Sequence, residues 1–190
     1  MGCVSSRKPR AVRRGELLAL RWSRVDLSAK KAMICESIEE TKKHGLRFKM
    51  PKTKSGRREI TLPDIVVDAL KAHRRRLLEI RIALGQGKLA DDALVFPIDL
   101  DGNPQAPDAF SAEWRDFADK IGLEGVPLHS LRHTHVSQLI DAGVDVVTIS
   151  KRIGHASPAI TLRVYAHLFR KDDGKAADAI NQAMATATGS

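Results

Sequence analysis

Gly143, Asp145, Gly154 and the pair Ser157-Pro158 follow one another in a short stretch and constrain the fold more tightly than any other feature of the chain. Each is a helix stop or a helix start. Glycine takes the left-handed conformation that closes a helix, aspartate and serine accept from the unpaired N–H groups of a first turn, and proline fits the first helical position. Residues punctuated this way build short helices joined by tight turns. The apolar spacing agrees: His129 to Ala142 turns Leu131, Val136, Leu139 and Ile140 inward, Val146, Ile149 and Ile153 share one face of the next helix, and the third opens at Pro158 and carries Tyr165. Upstream, Phe110, Trp114 and Phe117 recur at helical spacing and read as core rather than as a platform for stacked bases.

The first half is mixed. Gly15 to Arg21, with Leu17, Leu18 and Leu20, reads as a helix ending near Trp22. Met33 to Ile38, Leu46 to Met50 and Arg58 to Leu62 read as strands, the second alternating Leu46, Phe48 and Met50 with Arg47 and Lys49. Lys52 to Gly56 is a polar turn, so a basic hairpin is expected at the edge of a small antiparallel sheet. A long helix then runs from Pro63 or Asp64 through Leu84 and stops at Gly85 and Gly87. The expected fold class is α+β, mostly α. The expected organisation is a disordered segment over 1–12, one domain over 13–171, and a C-terminal helix and tail over 172–190.

Composition narrows the partners. Over 190 residues, lysine and arginine exceed aspartate and glutamate by nine, which favours a polyanion. Any one basic cluster could equally be a solvated helix face. The two cysteines, Cys3 and Cys35, imply no disulfide framework and fit a reducing cytosol, and no apolar stretch is long enough to span a membrane. Met1-Gly2-Cys3-Val4-Ser5-Ser6, with Arg7, Lys8 and Arg10 behind it, matches an acylation signal. That pattern is short and is not read as an anchor.

Four blocks carry the chemistry: R-R-G-E-L-L from Arg13, P-K-T-K-S-G-R-R from Pro51, H-S-L-R-H-T from His129, and G-H-A-S-P-A-I-T-L-R-V-Y from Gly154 to Tyr165, the single tyrosine of the chain. In this order and spacing they closely resemble the tyrosine recombinases, the phage integrases and their chromosomal relatives, from about Arg13 to about Phe169. The resemblance implies a site-specific DNA recombinase catalytic core that cleaves and rejoins duplex DNA through a 3′-phosphotyrosine.

The roles carried over are chemically reasonable one by one. Arg13 and Arg132 would clamp the phosphate oxygens, where planar and permanently charged donors serve best. His129, one helical turn before Arg132, would assist proton transfer from the attacking tyrosine. His155, after the tight turn at Gly154, would donate to the phosphate, and Tyr165 would be the nucleophile. Lys52 matches the lysine that protonates the leaving 5′ oxygen, with Lys54 as the fallback. Glu16 matches an acidic position that orients the active-site cations, although it could equally be a first-turn carboxylate stabilised by the helix dipole. Lys54, Arg57, Arg58 and Arg152 are expected to contact DNA. His133 and His135 fall outside the family's catalytic positions.

No ligand set for a metal and no glycine-rich phosphate loop is legible, and a phosphotyrosine conserves the energy of the broken bond, so no cofactor is expected. The family's usual glycine two residues before the first arginine is Ala11 here, and its separate N-terminal DNA-gripping domain is absent from this sequence. Two rivals remain: strand relaxation of the type IB topoisomerase kind, and a DNA-binding remnant without activity. Ala176, Ile180, Ala183, Met184 and Ala187 form one stripe of a terminal amphipathic helix, which by the resemblance would dock on a neighbouring copy on DNA.

Overall fold

The computed structural model describes residues 12–51, 56–169 and 173–188. Helix α1 (Arg14–Leu18) starts where the Glu16 carboxylate turns back to accept from the Arg13 backbone N–H at 2.8 Å. It ends three residues earlier than the leucine pattern predicts, because Arg21 bridges to Leu94 and the Trp22 N–H donates to the Ala93 carbonyl. Tertiary pairing overrides propensity there. Gly15 lets α1 lie directly on the next sheet: a Cβ at this position would stand 2.2 Å from the Ile38 carbonyl oxygen. Leu18, Ala19 and Ile38 make the buried contact.

The predicted strand from Met33 to Ile38 divides at Cys35 and Glu36. Strand β2 (Lys31–Ile34) pairs antiparallel with β1 (Val25–Asp26) on one side and β5 (Arg58–Thr61) on the other, while β3 (Ser37–Thr41) pairs with β4 (Gly45–Lys49). The expected basic hairpin is therefore corrected: β4 and β5 belong to different sheets, and the Lys52 segment connects the two. Alternation gives each strand a face but not a partner. Strand β4 instead follows β3 in a local hairpin closed at Thr41 and Gly45, across which Arg47 and Lys49 both reach Glu39, at 2.8 and 2.7 Å.

Helix α2 (Asp64–Ala83) buries Val67 and Leu70 against Trp22, Ala32, Leu62 and Val95, and stops at Gly85 with φ of 68°. Helix α3 (Pro107–Lys120) only partly follows its aromatic stripe. Phe110 packs on the Leu18 cluster and the Trp114 indole donates to the Val126 carbonyl at 2.9 Å, but Phe117 is exposed.

Three short helices then form as the punctuation requires: α4 (Ser130–Asp141), α5 (Val146–Ile153) and α6 (Pro158–Tyr165). Asp145 accepts from the Val147 and Thr148 N–H groups, Gly154 turns left-handed with φ of 69°, and Ser157 accepts from the Ala159 N–H. Val136, Ile140, Ile149, Ile153 and Tyr165 form one core. One residue of the pattern departs: Leu131 is exposed, while its neighbour Arg132 is buried at 3% exposure. Helix α7 (Asp173–Thr188) ends the described chain with Ile180 and Met184 exposed. Among the described residues, no helix is long and apolar enough to cross a membrane.

Candidate active site

Glu16 is the hub that joins the first half of the chain to the second. Its side chain is 2% exposed and accepts from the Arg58 guanidinium at 2.9 and 3.3 Å and from the Arg13 guanidinium at 3.1 Å. Arg58 in turn donates through Nε to the Arg152 carbonyl at 3.0 Å. A Cβ at Gly154 would stand 2.8 Å from the Arg58 guanidinium. The glycine before His155 thus serves two needs, a positive φ and room for Arg58. Arg58 was expected on DNA. Its side chain is 7% exposed and directed at Glu16, so it is a buried structural cation instead.

Arg132 projects from α4 into the same region. Its Nη2 donates to the Ile153 carbonyl at 3.0 Å and lies 3.2 Å from His155 Nε2. Burial, and then the nearby charges of Arg13 and Arg58, pull its pKa down to about 9, partly opposed by the Tyr165 hydroxyl and Glu16, so it stays charged at neutral pH. Among the described residues its Nε and Nη1 are buried without an acceptor. Buried donors left in that condition suit an incoming oxyanion.

His155 is half-buried and neutral at physiological pH: burial, followed by Arg132, Arg13 and Arg58, drives its pKa down to about 4. Its Nδ1 lies 2.8 Å from the Thr161 hydroxyl, which is 2.6 Å from the Ser150 hydroxyl, and both hydroxyls are buried. In this arrangement Nε2 accepts from Arg132. Because the Thr161 hydroxyl can donate or accept, either tautomer of the ring keeps a partner at Nδ1.

Tyr165 ends α6 and is 2% exposed. Burial raises the pKa of its phenol and Arg132 lowers it in part. Its hydroxyl lies 2.8 Å from His133 Nδ1, not on His129. The His129 ring stands edge-on to His133, with 6.0 Å between ring centres. His133 and His129 are four residues apart in H-S-L-R-H and share a helix face, a signal present in the sequence but outweighed by the family pattern.

The structure therefore brings together Arg13, Glu16, Arg132, His155 and Tyr165, with His129 beside them across His133. Lys52 and Lys54 lie outside the described residues, as does the N-terminal acylation pattern. A Cβ at Gly56 would meet Pro51 Cβ at 2.4 Å, so the two ends of the Lys52 segment touch. Arg57 is exposed and, with Lys151, Arg152 and His155, lines a cavity of about 600 Å³ between β5 and α5. Arg152 is held there by His135 Nε2 and the Thr61 carbonyl, both at 3.1 Å. A second cavity of about 570 Å³ opens beside His129, lined by Arg14, Leu17, Arg115 and Leu131 among others. Among the described residues no three histidine, cysteine or acidic side chains converge as metal ligands.

The same fold occurs in solved recombinases. The integrase of transposon Tn1549, solved in complex with transposon right end DNA, superposes with a TM-score of 0.67 at 20% identity, covering 93% of this chain and 56% of that one. XerA recombinase superposes with a TM-score of 0.59 at 22% identity, covering 92% and 52%. The profile of the phage integrase family matches residues 10–172, and the chain belongs to that family. It is 28% identical over 180 residues to a XerC-like tyrosine recombinase of Caldanaerobacter subterraneus, covering 90% of this chain and 46% of the relative. It is also 28% identical over 173 residues to the ICEBs1 integrase of Bacillus subtilis, covering 91% and 46%. The chain thus spans about half the length of these curated relatives.

Proposed function

We propose that this chain is the catalytic part of a site-specific DNA recombinase, breaking and rejoining duplex DNA through a covalent bond between Tyr165 and a 3′ phosphate. The observation that carries this reading is that Arg13 and His155 gather around the buried Arg132, whose charge in turn acts on the buried Tyr165. Arg132 has buried donors without an acceptor, Arg13 is fixed by Glu16 with its side chain still 48% exposed, and His155 can offer an N–H by changing tautomer. Such preorganised donors meet the charge that builds on the phosphate as the tyrosine attacks. Lys52 would protonate the 5′ oxygen as it leaves, with Lys54 as the alternative. In the reverse step the 5′ hydroxyl attacks the phosphotyrosine and the strand is rejoined without an external energy source.

Double-stranded DNA is the partner that a net charge of +9 favours, with Arg57 and Arg152 as backbone contacts along the cavity between β5 and α5. The Tn1549 integrase and the curated relatives from bacteria support DNA as substrate and the bacterial cytoplasm as the place of action. Residues 13–171 would form the catalytic unit. Helix α7, with Ile180 and Met184 exposed, would dock on a neighbouring copy when several chains assemble on DNA.

A duplex nicked just past the scissile phosphate tests the reading, because the short leaving strand diffuses away and religation fails. The full chain should then accumulate as a denaturant-resistant protein–DNA adduct. Binding without any adduct would reduce the protein to a DNA-binding module and refute the proposal.

A further inference from the structure

Among the described residues, the proton of the attacking phenol has one destination within hydrogen-bond reach. Tyr165 is 2% exposed, its hydroxyl is 2.8 Å from His133 Nδ1, and the two rings pack at 5.6 Å between centres. His129, the histidine of the H-x-x-R motif, touches His133 rather than the phenol. We infer that His133 receives the phenolic proton when Tyr165 attacks, so that the general base sits one helical turn beyond His129. The inference deepens the strand-transfer reading above and rests on it.

The step balances. The Tyr165 O–H bond breaks, its proton passes to His133 Nδ1, and the oxygen electron pair forms the new O–P bond. The P–O5′ bond breaks with its pair on O5′, which takes a proton from Lys52. On rejoining, His133 returns the proton to the departing phenolate. Such a base must be free to accept a proton, and burial first, then the neighbouring His129 and Arg132, favour that form by lowering the His133 pKa from its ordinary value. Among the described residues, the titratable and charged groups facing it are His129 at the cap of its own helix, Arg132 on that helix and Tyr165 on α6. On α5, Arg152 is turned to His135, and His167 in the turn after α6 is exposed. His129 would then steer the His133 ring and share its charge rather than meet the tyrosine itself.

Two measurements on the full chain test this. In ¹⁵N spectra of the imidazoles, with His133 assigned by loss of its signal in His133→Gln, Nδ1 should be the unprotonated nitrogen. A proton on Nδ1 would mean that His133 donates to Tyr165, and would overturn the inference. The second is the single-turnover rate of attachment to the nicked duplex from about pH 5.5 to about 9.5, for wild type, His133→Gln and His133→Ala. Glutamine can accept the hydrogen bond but cannot take the proton. At neutral pH both variants should be slower by on the order of 10²–10⁴-fold, with rates climbing about tenfold per pH unit as phenolate forms unaided. Wild type should be flat above neutrality. A glutamine variant with wild-type rate and a flat profile would reduce His133 to a positioning residue, and a faster variant would make the contact a latch that stows the tyrosine. Either result overturns the inference alone. Failure of the wild-type chain to attach overturns the strand-transfer reading as well.

Discussion

Replacing Arg58 by methionine removes the central cation of the site while keeping much of the side chain's volume. Arg58 and Glu16 have side chains 7% and 2% exposed, so the variant leaves a buried carboxylate with Arg13 as its remaining side-chain cation among the contacts described. Arg13 is 48% exposed, and an ion pair with such a partner contributes only about 0–1 kcal/mol. Removing one member of a buried pair costs about 3–5 kcal/mol. Against a whole-domain stability on the order of 5–15 kcal/mol this is a large fraction. At about 2–4 °C per kcal/mol for a chain of this size, the melting temperature should fall by about 6–20 °C. Urea unfolding of Arg58→Met, Glu16→Leu and the double variant measures it. The orphaned carboxylate causes the loss, so the double variant should recover at least about 1 kcal/mol relative to Arg58→Met. An Arg58→Met chain within about 1 kcal/mol of wild type would refute the buried-hub argument.

Gly154→Ala should lower both stability and attachment rate, since the new Cβ is strained at φ of 69° and would stand 2.8 Å from the Arg58 guanidinium; wild-type melting and rate together would contradict this. Arg132→Ala should slow attachment by on the order of 10²–10³-fold while DNA affinity changes little, and a gel-shift titration that tracked the rate loss would count against a transition-state role. Stability should also depend on pH through His155, whose pKa lies at about 4 against an ordinary 6.5. Between those values the unfolded chain binds a proton that the folded chain refuses, so stability rises with pH across the window, is full above it, and is lost as pH falls toward about 4. Melting curves of wild type and His155→Asn at pH values inside and above the window check this: equal pH sensitivity of the two proteins would remove His155 as the cause.

Much of the second half was legible because its signals are local. Asp145, Gly154, Ser157 and Pro158 each act on backbone within a few residues, and α5 begins and ends, and α6 begins, where they dictate. The sheets were less legible. Pairing of β2 with β5 is a long-range choice that alternation does not encode, and the division at Cys35 and Glu36 separates it from the local hairpin of β3 and β4. At the site, the family resemblance grouped Arg13, Arg132, His155 and Tyr165, but Arg58 read as a DNA contact until β5 carried it under Glu16. His133 carries the opposite lesson. Its i, i+4 relation to His129 was visible, yet only the packing of α6 on α4 shows which of the two histidines the tyrosine meets.

Strand transfer by this site requires that Tyr165 itself becomes bonded to a 3′ phosphate. Because the chain holds one tyrosine, the adduct trapped on a nicked duplex can be digested and its nucleotide-bearing peptide identified by mass. A single peptide spanning Tyr165 is expected, carrying a 3′-linked nucleotide and leaving a free 5′ hydroxyl, with no adduct from Tyr165→Phe although that variant binds the same DNA. An adduct on any other residue, one joined through a 5′ phosphate, or one that survives Tyr165→Phe would contradict it.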